Sequence, residues 1–196
     1  MINWDELKHI HVIRKLEAIL AQWFNTDIFF VDEKGQIRNF DINKDSNEFK
    51  NPLSTAFFTK DRGRLLFSQA ITEANEKVFK SSENHLILNG PAGIEKMFIS
   101  RISVENEFLG SVVAYSYVES AITPEATTQT RTSLEAFGLE GEAFAMAISK
   151  LRVLSESEKK YFLELVDLVA QEIETFHTEI TKREERINTL NNQPLF

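Results

Sequence analysis

Histidine is the residue type in this chain best suited to catalysis or metal binding, and its four copies are dispersed. His9 and His11 lie two residues apart and would face different sides of a helix, whereas His85 and His177 lie far along the chain. The chain has no cysteine, hence no thiolate ligand or cysteine nucleophile. No Gly-x-Ser-x-Gly or His-Glu-x-x-His motif occurs. These features predict a protein that is not an enzyme and that holds no metal or cofactor.

A glycine-containing segment, Asn89-Gly90-Pro91-Ala92-Gly93, invites comparison with phosphate-binding loops. It lacks the Gly-Lys-Ser/Thr ending of a nucleotide-binding loop, and Pro91 removes one N–H that could face an anion. We therefore expect a structural turn rather than a phosphate site.

The charge and apolar content of the chain indicate which classes of partner it can contact. The net charge of −8 disfavours direct contact with nucleic acid, because phosphate backbones would repel it. No apolar run approaches the ~18 residues of a membrane span, and no signal peptide precedes the first helix. With 42% hydrophobic residues and 16 phenylalanines, the sequence predicts a globular, cytoplasmic protein that contacts neither nucleic acid nor membrane.

Helices and strands must position any functional site, and the sequence alternates between segments with the periodicity of each. Apolar residues at spacings of three and four predict an amphipathic first helix, with Val12 and Ile19 widening its stripe towards a second neighbour. Residues 119 to 132 are expected to form a loop. The pattern predicts an α+β protein in which helices flank an antiparallel sheet of about five strands. The strands are expected at 28–31, 36–40, 85–88, 96–104 and 108–117.

A long C-terminal helix carries the strongest periodic signal. Ser155 and Glu158 form a predicted capping box at its start. Apolar residues then recur at alternating spacings of four and three, the pattern of a coiled coil. The eight predicted dimer-interface residues are Phe162, Val166, Val169, Ile173, Phe176, Ile180, Ile187 and Leu190.

The heptad pattern predicts a parallel homodimer, because β-branched residues occupy one core position. The alternative is a helix packed on its own domain, which fits best between Phe162 and Val169. Arg183 occupies one core position and weakens the seam. The expected division is a sensory domain over residues 1–154 and a signalling helix over residues 155–196.

Several local motifs resemble the PocR-type sensory domain, a relative of the GAF and PAS folds, over about Leu7 to Ile173. The motifs are Val31-Asp32-Glu33-Lys34-Gly35, Gly90-Pro91-Ala92-Gly93-Ile94, Glu105-Asn106-Glu107-Phe108-Leu109-Gly110 and the stretch from Glu142 to Leu154. Many relatives carry Cys and His where Gly90 and Pro91 stand here, so metal- or thiol-dependent sensing does not carry over. The resemblance implies an input domain upstream of an effector, such as an AAA+ transcriptional activator.

In folds of this type, one sheet face packs on the first and last helices and the other forms a pocket under the middle helices. Tyr115 with Tyr117, and Met97 with Arg101, lie at alternate strand positions and are expected to share a face. A ligand with an apolar body and one anionic or polar handle would contact the tyrosine rings and Arg101. The predicted ligand-binding residues are Phe67, His85, Asn89, Met97, Arg101, Tyr115 and Tyr117.

The predicted function is signal input, in which a small molecule or regulatory protein binds the domain and a dimeric helix transmits the signal to an effector. The alternative is a dimerisation or protein-docking module whose pocket is filled by phenylalanine. The end of the chain just beyond the heptads is typical of an input domain separated from its effector.

Overall fold

The computed structural model describes residues 1–41, 43 and 48–192. The chain forms short and long helices around one sheet. In chain order the elements are α1 Trp4–Leu7, α2 His11–Phe24, β1 Asp27–Asp32, α3 Pro52–Phe58, α4 Asp61–Lys80, β2 His85–Asn89, β3 Lys96–Val104, β4 Glu107–Tyr117, α5 Pro124–Ala136, α6 Gly141–Ser149 and α7 Glu156–Asn191.

In the part of the chain that the structure describes, the sheet has four strands in the order β1-β4-β3-β2, and every neighbouring pair is antiparallel. The α+β class with flanking helices is confirmed, but the prediction of about five strands is wrong. The segment 36–40 makes only one isolated bridge, between Val31 and Ile37. The side-chain amide of Asn39 takes the place of a strand backbone, because it accepts from the Phe30 N–H and donates to the Ile28 carbonyl. The preceding turn forms as expected, with Gly35 at φ +82°.

One face of the sheet packs against α1, α2 and α7. The apolar stripe of α2 is buried at Ile13, Leu16 and Leu20. The helix ends at Asn25, whose left-handed backbone and N–H bond to Ala21 close the last turn. This face therefore joins the first and last helices into one core, as the sequence analysis expected.

The opposite face packs against α3, α4, α5 and α6, again in a single core. Part of the expected loop over residues 119–132 is instead helical, because α5 begins at Pro124. Thr123 caps it by accepting from the Ala126 N–H, and Pro124 occupies the first turn, where a missing N–H costs least. This helix was not predicted, because its abundance of threonine and glutamate is more typical of a loop.

The final helix, α7, has 36 residues and is about 54 Å long at 1.5 Å per residue. Its predicted capping box between Ser155 and Glu158 is confirmed. The first half of α7 packs on the sheet and on α2, so the expected division at residue 154 separates parts of one core. Within the described residues, no helix combines the length and apolar character needed to cross a membrane.

Candidate functional site

Three of the seven predicted ligand-binding residues come together in a packed core. Phe67, Met97 and Tyr115 are all buried between α4 and the sheet. The rings of Phe67 and Tyr115 meet edge to face, with centroids 4.9 Å apart at an interplanar angle of 87°. Such contact is favourable between aromatic quadrupoles and leaves no space for a ligand between these two rings.

Phenylalanine fills the face where the sequence analysis expected a pocket. Phe29 lies 5.0 Å from Phe67 and 5.1 Å from Phe40, measured between ring centroids. Phe58 lies 5.1 Å from Phe67 and 4.5 Å from Phe49. These five rings form a continuous cluster over the sheet, so this part of the face is occupied by the protein itself.

Tyr117 lies on the other face of the sheet, and the expectation that it shares a face with Tyr115 is wrong. The β3–β4 register shifts between Lys96 and Met97, which pair with Tyr117 and Tyr115 respectively. One residue of β4 is therefore extra at this point, a β-bulge that changes which face the next side chain occupies. Tyr117 packs in the α7 core, 5.2 Å from the ring of Phe162.

Arg101 is engaged with the end of α4. Its Nη2 donates to the carbonyls of Val78, Phe79 and Ser81, the last two at 3.0 and 2.6 Å. The guanidinium also lies 5.9 Å from the centre of the Phe108 ring. A cation at a helix C-terminus satisfies carbonyls that lack helical partners. These bonds occupy the group that was expected to meet a ligand's anionic handle.

His85 faces α7 rather than the phenylalanine cluster. Its Nδ1 lies 3.2 Å from Oδ2 of Asp167, and its ring lies 5.0 Å from that of Phe98. The residue paired with it on β3, Ser100, donates from Oγ to Oδ1 of the same Asp167 at 2.7 Å. The strand pair β2–β3 is thus bound to α7 through one shared carboxylate.

A second carboxylate repeats this contact two turns further along α7. Glu174 accepts a hydrogen bond of 2.8 Å from the Ser103 N–H of β3, and burial raises the pKa of the Glu174 carboxyl. Asp167 and Glu174 are seven residues apart, so both point from one side of the helix. This pair was not predicted from the sequence, although acidic residues at heptad spacing beside apolar core positions were a signal for it.

A groove remains open at the edge of the filled face, between α4 and β2. Its volume is about 510 Å³, a size that suits a small organic molecule. Ala70, Glu73 and Lys77 of α4 form one wall, and Asn89 and Met97 of the predicted set form part of the other. The Asn89 side chain accepts from the Lys96 ammonium at 2.7 Å.

Beneath the turn that borders this groove lies a buried acid, Glu95, which the sequence analysis did not select. The Tyr115 hydroxyl and the Ala92 N–H donate to its Oε1 at 2.7 and 3.0 Å. Its Oε2 has no hydrogen-bond partner among the described residues. Burial raises the pKa of the Glu95 carboxyl, and burial together with this neighbour raises the pKa of Tyr115.

Gly90 is required beside this acid. A Cβ at that position would lie 2.1 Å from Glu95 Oε1, closer than any side chain tolerates. The expected structural turn at Gly90 is present, with the Gly93 N–H bonded to the Gly90 carbonyl. The turn therefore wraps an internal carboxylate with its own backbone.

Half of the predicted dimer interface lies inside the protomer. The sheet and α2 fully bury four of its residues, Phe162, Val166, Val169 and Ile173. The prediction that these four residues form a seam between two helices is therefore wrong. Phe176 and Ile180 are half-buried. Only Ile187 and Leu190, which are 56% and 67% exposed, keep the accessibility that a seam needs.

Within the described residues, no group of three or more His, Asp or Glu side chains is arranged to hold a metal ion. No protein-family model matches the sequence. No curated protein shows significant similarity to it.

Proposed function

We propose that this chain is a PocR/GAF-like sensory input module of a cytoplasmic bacterial signal-transduction or transcription-regulatory protein. In this proposal a small molecule binds the groove between α4 and β2, and α7 transmits the signal to an effector domain. The sequence motifs and the arrangement of helices around an antiparallel sheet support the family. The effector class, an AAA+ transcriptional activator, rests on the resemblance alone.

One observation carries the proposal: the strand pair β2–β3 lies between the groove and α7 and contacts both. Asn89 and Met97 of these strands line the groove. His85 and Ser100 of the same strands contact Asp167 of α7. A ligand that shifts the edge strand changes the geometry of those contacts, and a helix bound at two points one heptad apart responds by rotating or tilting.

A thermal-shift screen of small metabolites tests the groove. A ligand at one hundred times its dissociation constant stabilises the folded state by about 2.7 kcal/mol, which raises the melting temperature by about 5–10 °C at this chain length. Ala70→Trp fills the groove and should abolish every genuine hit. Leu65→Trp, on the exposed side of the same helix, should leave the hits unchanged.

Transmission of the signal to α7 is tested separately, by hydrogen exchange. A hit should alter amide hydrogen exchange around residues 167–174 in the native chain. In Asp167→Asn the same hit should still raise the melting temperature but should no longer alter exchange in α7. Hits that persist in Ala70→Trp would refute binding in the groove. An unchanged α7 response in Asp167→Asn would refute transmission of the signal through Asp167.

The phenylalanine cluster favours a second function, a docking module that binds no small molecule. Its five rings occupy the face under the middle helices. In that case the signal would enter through protein contact, and the metabolite screen would give no hits that depend on Ala70.

A further inference from the structure

The two edges of the sheet differ in how their backbone groups are satisfied. At β1 the chain covers its own edge, because the Asn39 amide bonds to the Phe30 N–H and the Ile28 carbonyl. The Arg38 N–H also donates to the Phe30 carbonyl, at 2.8 Å. β2 forms the opposite edge and, within the described residues, pairs only with β3. The outer side of β2 therefore lacks the cover that β1 has.

The pairing register shows which backbone groups of β2 face this free edge. The Gly90 N–H donates to the Glu95 carbonyl at 2.8 Å, in line with the regular β2–β3 pairing. Since hydrogen-bonded pairs alternate along an antiparallel ladder, the even-numbered residues of β2 bond to β3. The N–H and carbonyl groups of His85, Ile87 and Asn89 therefore point outward. In the part of the chain that the structure describes, no hydrogen bond satisfies these groups.

The sequence of β2 carries none of the usual protection of an edge strand. Natural edges are commonly protected by a charged side chain, a proline or a bulge. β2 reads His-Leu-Ile-Leu-Asn, without Asp, Glu, Lys, Arg or Pro, and its pairing with β3 has no bulge. Ile87 at its centre is 38% exposed. Such an edge is suited to accept one more strand, which would supply donors and acceptors in the same alternation.

The groove between α4 and β2 offers space for the side chains of an added strand. Ala70 and Ala74 make its α4 wall shallow, and Met97 lies on the sheet side. Leu86 and Leu88 point towards α4, because both pack against the core on that face. Added residues opposite these two leucines would direct their side chains into the groove, while their neighbours bond to the outward backbone groups of β2.

A second copy of this chain would not fill the groove. In a pair of β2 strands, the side chains available for it are Leu86 and Leu88 of the other copy. Both are already packed in that copy's own core. A separate peptide has no such commitment of its side chains, so it can bond to the edge and occupy the groove together.

We infer that the groove between α4 and β2 binds a short oligopeptide, which adds to β2 as a further strand. About five residues match the five residues of β2. Apolar side chains at alternate positions of the peptide enter the groove. The inference rests on the proposed function and names the ligand class of the same groove.

A peptide with blocked ends, acetyl-Thr-Leu-Thr-Leu-Thr-amide, is the probe, and isothermal titration calorimetry on the full chain measures its binding. With leucine in the groove, the N–H of the central threonine faces β2, and that of the first leucine faces away. N-methylation of the central threonine should weaken binding about tenfold, because it removes a hydrogen bond at the edge. N-methylation of the first leucine should change affinity less than twofold. No binding, or equal effects of the two modifications, would overturn the inference.

Ile87→Pro tests the protein side of the same bond. It removes an N–H that bonds nothing in the free chain, and proline is tolerated on an edge strand at such a position. Urea unfolding should therefore resemble that of wild type, whereas peptide affinity should fall about tenfold. Ile87→Val keeps the N–H and should bind as wild type does. Full affinity in Ile87→Pro would contradict strand addition.

Amide exchange measured by nuclear magnetic resonance needs no variant. Bound peptide should slow exchange at His85, Ile87 and Asn89 by tenfold or more. The amides of Leu86 and Leu88 already bond to β3 and should change much less. Equal protection along the whole strand, or none, would show that the peptide does not pair with the edge.

Failure of this inference is separable from failure of the proposed function. Small-molecule hits that depend on Ala70, without peptide binding, would overturn the inference alone. Peptide paired with β2 but without effect on exchange around residues 167–174 would refute the proposed function alone. Self-association that is lost in Ile87→Pro, without peptide binding, would assign the edge to a second copy. Tenfold tighter binding of a 20-residue peptide with the same central five residues would assign it to a longer partner chain.

Discussion

Glu17 on α2 gives the most quantitative prediction. It is half-buried beneath the segment that contains Asn39, and desolvation raises its pKa from 4.5 to about 7, against a hydrogen bond from Asn39 and the charge of Arg14. Above pH 7 the folded state therefore holds a carboxylate in a poorly solvated place. Glu17→Gln removes the ionisable group while keeping the size and hydrogen-bonding capacity of the side chain.

The size of the stabilisation expected for Glu17→Gln follows from the change in pKa. A rise from 4.5 to about 7 corresponds to about 3.4 kcal/mol of penalty on the ionised form. Because Glu17 is not sealed from water, screening reduces this, and we expect Glu17→Gln to stabilise the protein by about 1–2 kcal/mol above pH 7. For a chain of this length that is a melting temperature higher by about 2–8 °C.

The sign of the pH dependence distinguishes burial of the Glu17 carboxylate from other causes of a change in stability. The folded state binds a proton at Glu17 more tightly than the unfolded state, so the penalty is complete above the folded pKa of about 7. It is relieved as the pH falls from about 7 towards 4.5. The stability difference between Glu17→Gln and wild type should therefore be largest near pH 8 and close to zero near pH 4.5.

Urea unfolding followed by circular dichroism at several pH values measures this difference. Asp27, Glu95 and Glu174 also have raised pKa values, but they are present in both proteins and cancel in the comparison. Glu33→Gln, at an exposed turn position, serves as the control and should show no such pH-dependent gain. A stability difference independent of pH, or one that grows as the pH falls, would refute the assignment to Glu17.

Three further changes test the interior and the helix ends. Phe67→Ala should cost about 3–5 kcal/mol in urea unfolding, because it leaves a cavity at the centre of the buried ring cluster. Tyr115→Phe should cost about 1–3 kcal/mol, because it removes the hydroxyl that donates to buried Glu95; a loss of under 0.5 kcal/mol would show that water replaces it. Ser155→Ala should lower the free energy of unfolding by about 1 kcal/mol and increase exchange of the first amides of α7, whereas Ser157→Ala should not.

The sequence predicted most of the sheet, the amphipathic helix α2 and the long helix α7, because their periodicities are strong. It could not decide what the stripe of α7 packs against. Residues spaced four and three apart suit a coiled-coil seam and a helix lying on a sheet equally well, and burial of Phe162 and Ile173 in the protomer depends on contacts distant in sequence. The apolar residues of α2 beyond its buried stripe, Val12 and Ile19, predict a second neighbour, and this stays a prediction.

The candidate site was less predictable for two physical reasons. A bulge in β4 between Tyr115 and Tyr117 places the Tyr117 side chain on the other face of the sheet, and no residue type in β4 indicates the extra position. Arg101 was selected for its charge, but the nearest unsatisfied acceptors belong to the end of α4, whose position relative to β3 is a tertiary property. The phenylalanine content did predict the filled face, as the alternative to an open pocket.

In the proposed function, the residues that join the sheet to α7 carry the signal past the filled core. Packed cores such as the phenylalanine cluster are rigid and change between discrete arrangements rather than deforming smoothly. β2, by contrast, is an edge strand that pairs only with β3, and its exposed face carries His85 at half exposure. A signal that enters beside β2 therefore meets the least constrained strand first. Asp167 connects that strand pair to α7, so in the proposed function a small displacement at the edge reaches the helix.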